Sequence, residues 1–291
     1  MTVFYVQLIV NGIIAGSIYA MFAVGLTMVY GVFKFINFSH GELITWGAYL
    51  GLMFISPPFS LPLYLAAVPA LTLTVGIGLA QDRFIYRPLR QKNPISILIA
   101  SIGLSYMLRN AIRLFWGSDL RTFQMPLSQG LQFSGIYITR PQVLMVLSAL
   151  VFLGTLYIIL TKTLLGKSLR ALSDNMELAA IMGINMEKVT AAVWILASLF
   201  AGSGGILLAM DTSMEPMMGM ASLIKAFAAV LLGGAGNVWG ALLGGLFIGI
   251  TENVSVAFIS PDYKDFIAFA VIFGILLVKP RGIFGIMGGM R

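Results

Sequence analysis

The chain of 291 residues contains no cysteine. That excludes a disulfide framework, a thiolate metal site and a cysteine nucleophile. It has one histidine, His40, so the metal pair of an H-E-x-x-H helix cannot form. Neither G-x-S-x-G nor G-x-x-x-x-G-K-[ST] occurs, so the chain has no nucleophile elbow and no P-loop of its own. It reads as a non-enzyme with no metal site. Charge is also scarce, at 10% of residues against about 25% in soluble domains. With 59% of residues hydrophobic, a water-soluble fold of this size cannot hide its apolar surface. Soluble enzyme, disordered tail and secreted disulfide scaffold are excluded.

What is present is a series of long apolar runs, such as 142–160. A β-barrel needs short alternating segments instead. In lipid, runs of this kind satisfy their backbone only as helices. With about 20 residues per crossing, the chain is predicted to be an all-α integral membrane protein, a polytopic bundle of about eight to ten transmembrane helices. The expected spans are 3–30, 43–55, 61–80, 95–116, 142–160, 189–210, 222–232, 239–259 and 266–278. The first is long. Those at 43–55 and 222–232 are short, the mark of half or broken helices. The opening run lacks a basic n-region and an A-x-A site, and reads as a retained helix. One membrane domain, 1–291, leaves no room for a separate soluble unit.

The net charge of +7 does not indicate nucleic-acid binding, because the basic residues lie in loops. Segment 81–94 holds Arg83, Arg87, Arg90 and Lys92 against Asp82. Segment 161–188 holds Lys162, Lys167, Arg170 and Lys188, and the C-terminal tail holds Lys279, Arg281 and Arg291. The opposite loops carry only Arg121, Arg140 and Lys264, alongside Asp119, Asp211, Glu215, Asp262 and Asp265. The positive-inside rule places the first three segments and the C-terminus in the cytoplasm. Nine crossings put the N-terminus outside.

An internal repeat is visible. Trp46-Gly47-Ala48-Tyr49-Leu50-Gly51-Leu52-Met53-Phe54 matches Trp239-Gly240-Ala241-Leu242-Leu243-Gly244-Gly245-Leu246-Phe247 at six of nine positions. Transporters built from repeated halves place their pathway at the repeat interface, among broken helices. Chance is the other reading, since Gly, Ala and Leu are abundant. Most glycines read as close helix packing. The cluster Leu232-Gly233-Gly234-Ala235-Gly236-Asn237 reads as a break between a half-helix and the next span.

The segment Phe35-Ile36-Asn37-Phe38-Ser39-His40-Gly41-Glu42 sets polar groups between two apolar helices. Ser39 and Glu42 have the spacing of a capping box. A second role is a helix break near the translocation pathway, with N-terminal amides facing a substrate carboxylate. A proton relay through His40 and Glu42 is a third reading. Lys225, Arg109 and Arg113 read as side chains snorkelling to the outer interface. Glu252 either pairs with a basic residue or faces a polar cavity.

In the loop 166–185, Asp174 and Glu177 form a D-x-x-E helix start and Gly183 a stop. A helix of about two turns between them presents Leu178, Ile181 and Met182, and is too short to stand alone in water. It needs either the membrane surface or a partner's groove.

These residues carry a resemblance. Asn11-Gly12, Gly25-Leu26-Thr27-Met28-Val29-Tyr30-Gly31, Ile36-Asn37-Phe38-Ser39-His40-Gly41-Glu42, Met182-Gly183-Ile184-Asn185, Lys225-Ala226-Phe227 and Leu231-Leu232-Gly233-Gly234-Ala235-Gly236-Asn237 together resemble the permease subunits of branched-chain amino acid ABC importers of the LivH type. The likeness covers nearly the whole chain. It implies a homologous second permease, two cytoplasmic P-loop ATPase subunits carrying ATP and Mg, and an extracytoplasmic substrate-binding protein, with no cofactor on this chain. It implies that 174–183 is the coupling helix inserted into the ATPase. Glu177-Leu178-Ala179-Ala180-Ile181-Met182-Gly183 is similar to the importer E-A-A…G motif with one residue added after Glu177.

The reading is then an amino acid permease of the cell inner membrane. Asp174, Glu177, Leu178, Ala179, Ala180, Ile181, Met182 and Gly183 couple it to ATPase subunits. Asn37, Ser39, His40, Glu42, Gly233, Gly234 and Asn237 are candidates for the pathway. The alternatives are an ABC permease for urea or short amides, an ion-driven secondary transporter using Glu42, His40 or Glu252, and a passive channel or scaffold.

Overall fold

The computed structural model describes residues 2–90, 92–123, 130–133, 135–260, 263–279 and 282–283. Asp262, Arg281 and Arg291, which entered the charge comparison, lie outside the described residues. The chain forms α1 (Thr2–Phe33), α2 (His40–Ile55) and α3 (Leu63–Gln81). From α3 a π-helical turn (Asp82–Tyr86) leads into α4 (Arg87–Leu89), followed by α5 (Pro94–Trp116). A hairpin of β1 (Leu131–Phe133) and β2 (Ile136–Ile138) precedes α6 (Arg140–Lys162), α7 (Leu164–Asp174) and α8 (Met176–Ile181). The last elements are α9 (Met186–Asp211), α10 (Met218–Gly233), α11 (Val238–Ser255) and α12 (Lys264–Val278).

Among the described residues, six helices are long and apolar enough to cross a membrane. α2 and α10, at 16 residues each, occupy the two segments expected to be short. Burial separates an inner from an outer layer. The most apolar stretch of α1 is 89% buried and that of α9 72%, whereas that of α6 is only 17% buried. α1 packs along α11 and α2 along α9, with α10 between α11 and α2. α6 offers most of its surface outward, as a lipid-facing helix does.

Lipid tails are as apolar as leucine, so helices here associate through close backbone packing. Gly12 and Gly16 of α1 face Gly245 and Gly249 of α11, a G-x-x-x-G pair on each side. A Cβ at Gly12 would lie 2.6 Å from the Ile250 Cα. Gly47 of α2 meets the backbone of Gly202 in α9 in the same way. Gly47 and Gly51 of the first repeat copy turn onto α9, and Gly240 and Gly244 of the second onto α10. Both copies follow a break and use their glycines as a packing seam, against different neighbours.

Two local expectations need correction. The helix expected between Asp174 and Gly183 is α8, but it starts at Met176, and Asp174 belongs to a preceding helix, α7, in what was expected to be loop. Asp174 closes α7, and Asn175 caps α8, its side chain accepting from the Leu178 N–H at 3.0 Å. Asn175 holds the extended backbone (φ −153°, ψ 108°) that an N-cap requires, whereas Asp174 is still helical. α7 is held by buried Leu169 and Leu172 and by Ser173, whose Oγ donates to the Gly31 carbonyl of α1 at 2.9 Å. The second correction is the β1–β2 hairpin, in a stretch expected to be loop. It is fastened to α1 by Gln7, which exchanges two hydrogen bonds with the Tyr137 backbone.

Candidate functional site

α1 stops at Phe33 and α2 starts at His40, leaving 34–39 as a non-helical break. Asn37 organises it. Its Oδ1 accepts from the Ser39 N–H (3.1 Å), the Ser39 hydroxyl (2.8 Å) and the Tyr86 hydroxyl (2.8 Å). The Ser39 Oγ also lies 2.8 Å from the Gln81 Oε1 and 2.7 Å from the Tyr86 hydroxyl. Gln81 and Tyr86 are five apart on opposite sides of the π turn. Bonds of that turn run between residues five apart, so the two share a face that an α-helix would divide. Tyr86 stacks on Trp194 of α9 with centroids 5.1 Å apart and planes 14° apart. All five side chains are buried. Asn37 Nδ2, Gln81 Nε2 and Trp194 Nε1 have no hydrogen-bond partner among the described residues.

This arrangement replaces the expected capping box. Ser39 makes no side-chain cap and Glu42 does not reach back to it. Glu42 Oε1 accepts instead from Arg109 Nη2 (2.6 Å), Arg109 Nε (3.1 Å) and Ser105 Oγ (2.9 Å). A buried carboxylate among apolar helices is far costlier to leave unpaired than one amide N–H, so the arginine takes it. Arg109 is therefore buried and does not snorkel, while Arg113 is exposed as expected. Lys225 is corrected likewise. Its Nζ donates to Glu252 Oε1 at 2.7 Å and to the Tyr19 hydroxyl at 3.1 Å, tying α10 to α11 and α1.

His40 is fully buried, its ring against the α1 backbone at Gly25 and beside the Phe22 carbonyl. Gly41 packs on Gly219 of α10. The N-terminus of α2 is thus enclosed by protein in this conformation. The second break is more open. α10 ends at Gly233, and Gly234 (φ +98°) takes the chain out of the helix through a conformation that suits glycine. The Asn237 side chain accepts from the Trp239 and Gly240 N–H groups at 3.1 Å each, capping α11. Beside it lies a cleft of about 350 Å³ bordered by Thr27, Gly31, Arg170, Ser173 and Trp239. The two breaks are not brought together into one cluster. Asn37 and Ser39 face the end of α3 and its π turn, whereas the Gly233–Asn237 break faces the end of α1 and α7.

α8 stands apart from both. Leu178, Ile181 and Met182 are 56%, 81% and 75% exposed, and Asp174 and Glu177 are also exposed. Ala179 is buried against the protein. Gly183 (φ +82°) ends the helix, its N–H bonding the Ala180 carbonyl, and Ile184 N–H bonds that of Ala179. Asn185 caps α9 by accepting from the Lys188 N–H. Glu187, in the first turn of α9, forms an ion pair with Arg87 of α4.

Sequence reasoning missed Gln81, Tyr86, Trp194, Ser105 and the buried state of Arg109. One signal was available. Ser101, Ser105 and Arg109 are four apart, a polar stripe down one face of an otherwise apolar span. Ser101 Oγ meets the break at the Phe38 N–H and the Ile36 carbonyl, and the next two residues of the stripe hold Glu42.

Comparison with known proteins places the chain. Residues 8–276 match the family described as branched-chain amino acid transport system, permease component. The high-affinity branched-chain amino acid transport permease LivH of Escherichia coli K12 is 34% identical, covering 97% of this chain and 96% of that protein. BraD of Pseudomonas aeruginosa, a permease of the same description, is 33% identical with the same coverage. An inward-facing structure described as a metal-chelate type ABC transporter shares the fold, with a TM-score of 0.53 at 17% identity over 94% of this chain and 87% of that one. The chain, a multi-pass membrane protein, belongs to the permease components of branched-chain amino acid transport systems.

Proposed function

We infer that the chain is the membrane permease of an ATP-driven importer of branched-chain or other neutral amino acids. It acts as one unit over residues 1–291, with 161–188 and the C-terminus in the cytoplasm. A homologous permease completes the pathway, two P-loop ATPase subunits carry ATP and Mg, and an extracytoplasmic binding protein delivers the amino acid. The carrying observation is α8: a six-residue helix that cannot stand alone, capped at both ends, with three large apolar side chains left uncovered. A groove on a partner would cover them, in the helix-in-groove manner.

The contacts supply a route inward. α8 joins α9 through the Gly183 turn and the Asn185 cap. Glu187 of α9 holds Arg87, which directly follows Tyr86 on the π turn. Tyr86 bonds Asn37 and stacks on Trp194, so displacement of α8 bears on the 34–39 break from two sides. In this reading Asn37, Ser39, His40 and Glu42 border the pathway at one break, and Gly233, Gly234 and Asn237 at the other. ATP drives the switch only through a difference in affinity for the two states. The pairing of Glu42 with Arg109 and of Glu252 with Lys225 favours this over an ion-driven carrier, because a basic side chain already balances the charge of each carboxylate.

The test is uptake of labelled leucine into proteoliposomes holding the co-purified assembly, its binding protein and ATP. Uptake is expected to require ATP and to persist with a protonophore. Glu177→Ala, or deletion of residues 178–183, is expected to leave ATP hydrolysis running without uptake. Unchanged uptake in both variants contradicts the role of α8, and collapse with the protonophore while ATP remains contradicts the energy source.

A further inference from the structure

A cleft of about 390 Å³ opens between the end of α3 with its π turn and the first turns of α9. Three arginines, Arg83, Arg87 and Arg90, stand around it with two carboxylates. Arg90 pairs with Asp82 and Arg87 with Glu187. Arg83 is exposed and has no ion-pair partner among the described residues, so one positive charge is left over. Each guanidinium has five N–H donors, and each of the two ion pairs uses one hydrogen bond. Arg90 Nε is buried with no hydrogen-bond partner among the described residues, while its guanidinium carbon sits 4.6 Å from the centre of the Phe33 ring.

The rest of the lining is Leu79, Ala80 and Ala191, with Thr190, whose hydroxyl donates to the Met186 carbonyl of its own helix. Phe84, next to Arg83, is 73% exposed. The cleft therefore combines a cationic rim with an apolar flank, at the end of membrane-spanning helices. A free inorganic anion uses the first feature and gains nothing from the second. A lipid with an anionic head uses both, and basic recesses between transmembrane helices recognise such heads.

We propose that this cleft binds the phosphodiester head of an acidic phospholipid, held by Arg83 and Arg87 with its acyl chains along Leu79 and Phe84. A lipid here bridges α3 and α9, and so stiffens the Glu187–Arg87 link between α8 and the break. That consequence rests on the proposed function. The binding itself does not, nor does it depend on which side of the membrane the cleft faces.

The test is native mass spectrometry of the full chain, purified with its associated subunits. It is titrated in one detergent with cardiolipin, phosphatidylglycerol and phosphatidylcholine. The two acidic lipids are expected to remain bound after activation that strips phosphatidylcholine. Arg83→Gln is expected to weaken retention about fivefold, the effect of one basic residue at an anionic membrane surface. Lys162→Gln removes the same charge from an exposed site outside the cleft and is expected to leave retention unchanged. Equal losses in the two variants, equal retention of phosphatidylcholine, or absence of acidic-lipid adducts overturns the proposal. Displacement of the lipid by millimolar inorganic phosphate also overturns it, and reassigns the cleft to a free anion.

Discussion

Arg109 has its guanidinium on a carboxylate carried by another helix, 67 positions earlier in the chain. Removing it strands the Glu42 charge in an apolar interior, which costs about 3–5 kcal/mol. Arg109→Met is therefore expected to unfold in detergent at a markedly lower temperature. The double variant Glu42→Gln with Arg109→Met is expected to regain most of that loss. If the double variant is no better than the single one, the pair is not the source of the effect. Tyr86→Phe makes a milder test. It deletes the hydroxyl that meets Asn37 and Ser39 while keeping the stack on Trp194, and a loss of about 1–3 kcal/mol is expected in the same melt. These residues were only partly legible in the sequence. Asn37, Ser39 and Glu42 stood out because polar groups are rare between apolar helices. Their partners did not, because Gln81, Tyr86 and Arg109 lie 42 to 67 residues further along the chain. A local spacing such as Ser39–Glu42 suggests a capping box, and only the assembled bundle offers the stronger partners.

The helices divide by what their glycines touch. Gly12, Gly16, Gly245 and Gly249 of the α1–α11 seam and Gly47 of the α2–α9 seam meet backbone, whereas Gly154 of α6 and Gly103 of α5 meet nothing within 4 Å among the described residues. Gly12→Ala is expected to overpack its seam and cost about 1–3 kcal/mol. Gly154→Ala is expected to be neutral, or stabilising by up to about 1 kcal/mol. Melts of the purified variants check both, and equal behaviour would show that the seams are looser than described. Gly183 obeys a different constraint. At φ +82° an alanine strains the α8 stop by roughly 1 kcal/mol, and Gly183→Ala is expected to lower uptake per ATP hydrolysed without lowering yield. Element positions were readable because hydropathy reports length directly, and the two short helices and the 233–237 break fell where the apolar runs thinned. The ends of α7 and α8 were not readable to the residue. Asp174 and Asn175 are both good caps, and their backbone angles alone decide between them.

Among the described residues, six long helices, three shorter ones that include α2 and α10, and the α7–α8 pair form an apolar bundle with buried polar clusters at the 34–39 break, at Glu42–Arg109 and at Glu252–Lys225. The class was legible from composition alone, since so little charge and so much apolar surface leave few folds open. The proposed orientation rests on the arginines and lysines of 81–94 and 161–188, and a reporter fused after residue 279 is expected to register a cytoplasmic C-terminus. What composition cannot supply is the identity of the partner proposed to cover α8. The most direct measurement uses the absence of cysteine. Ile181→Cys creates the only thiol in the chain, on the most exposed apolar residue of α8. Cross-linking in native membranes with a short thiol-reactive linker is predicted to join this chain to a P-loop ATPase subunit, with a yield that changes when ATP is bound. Reaction of that thiol with a membrane-impermeant reagent from the extracytoplasmic side, or cross-linking to lipid alone, would contradict the account.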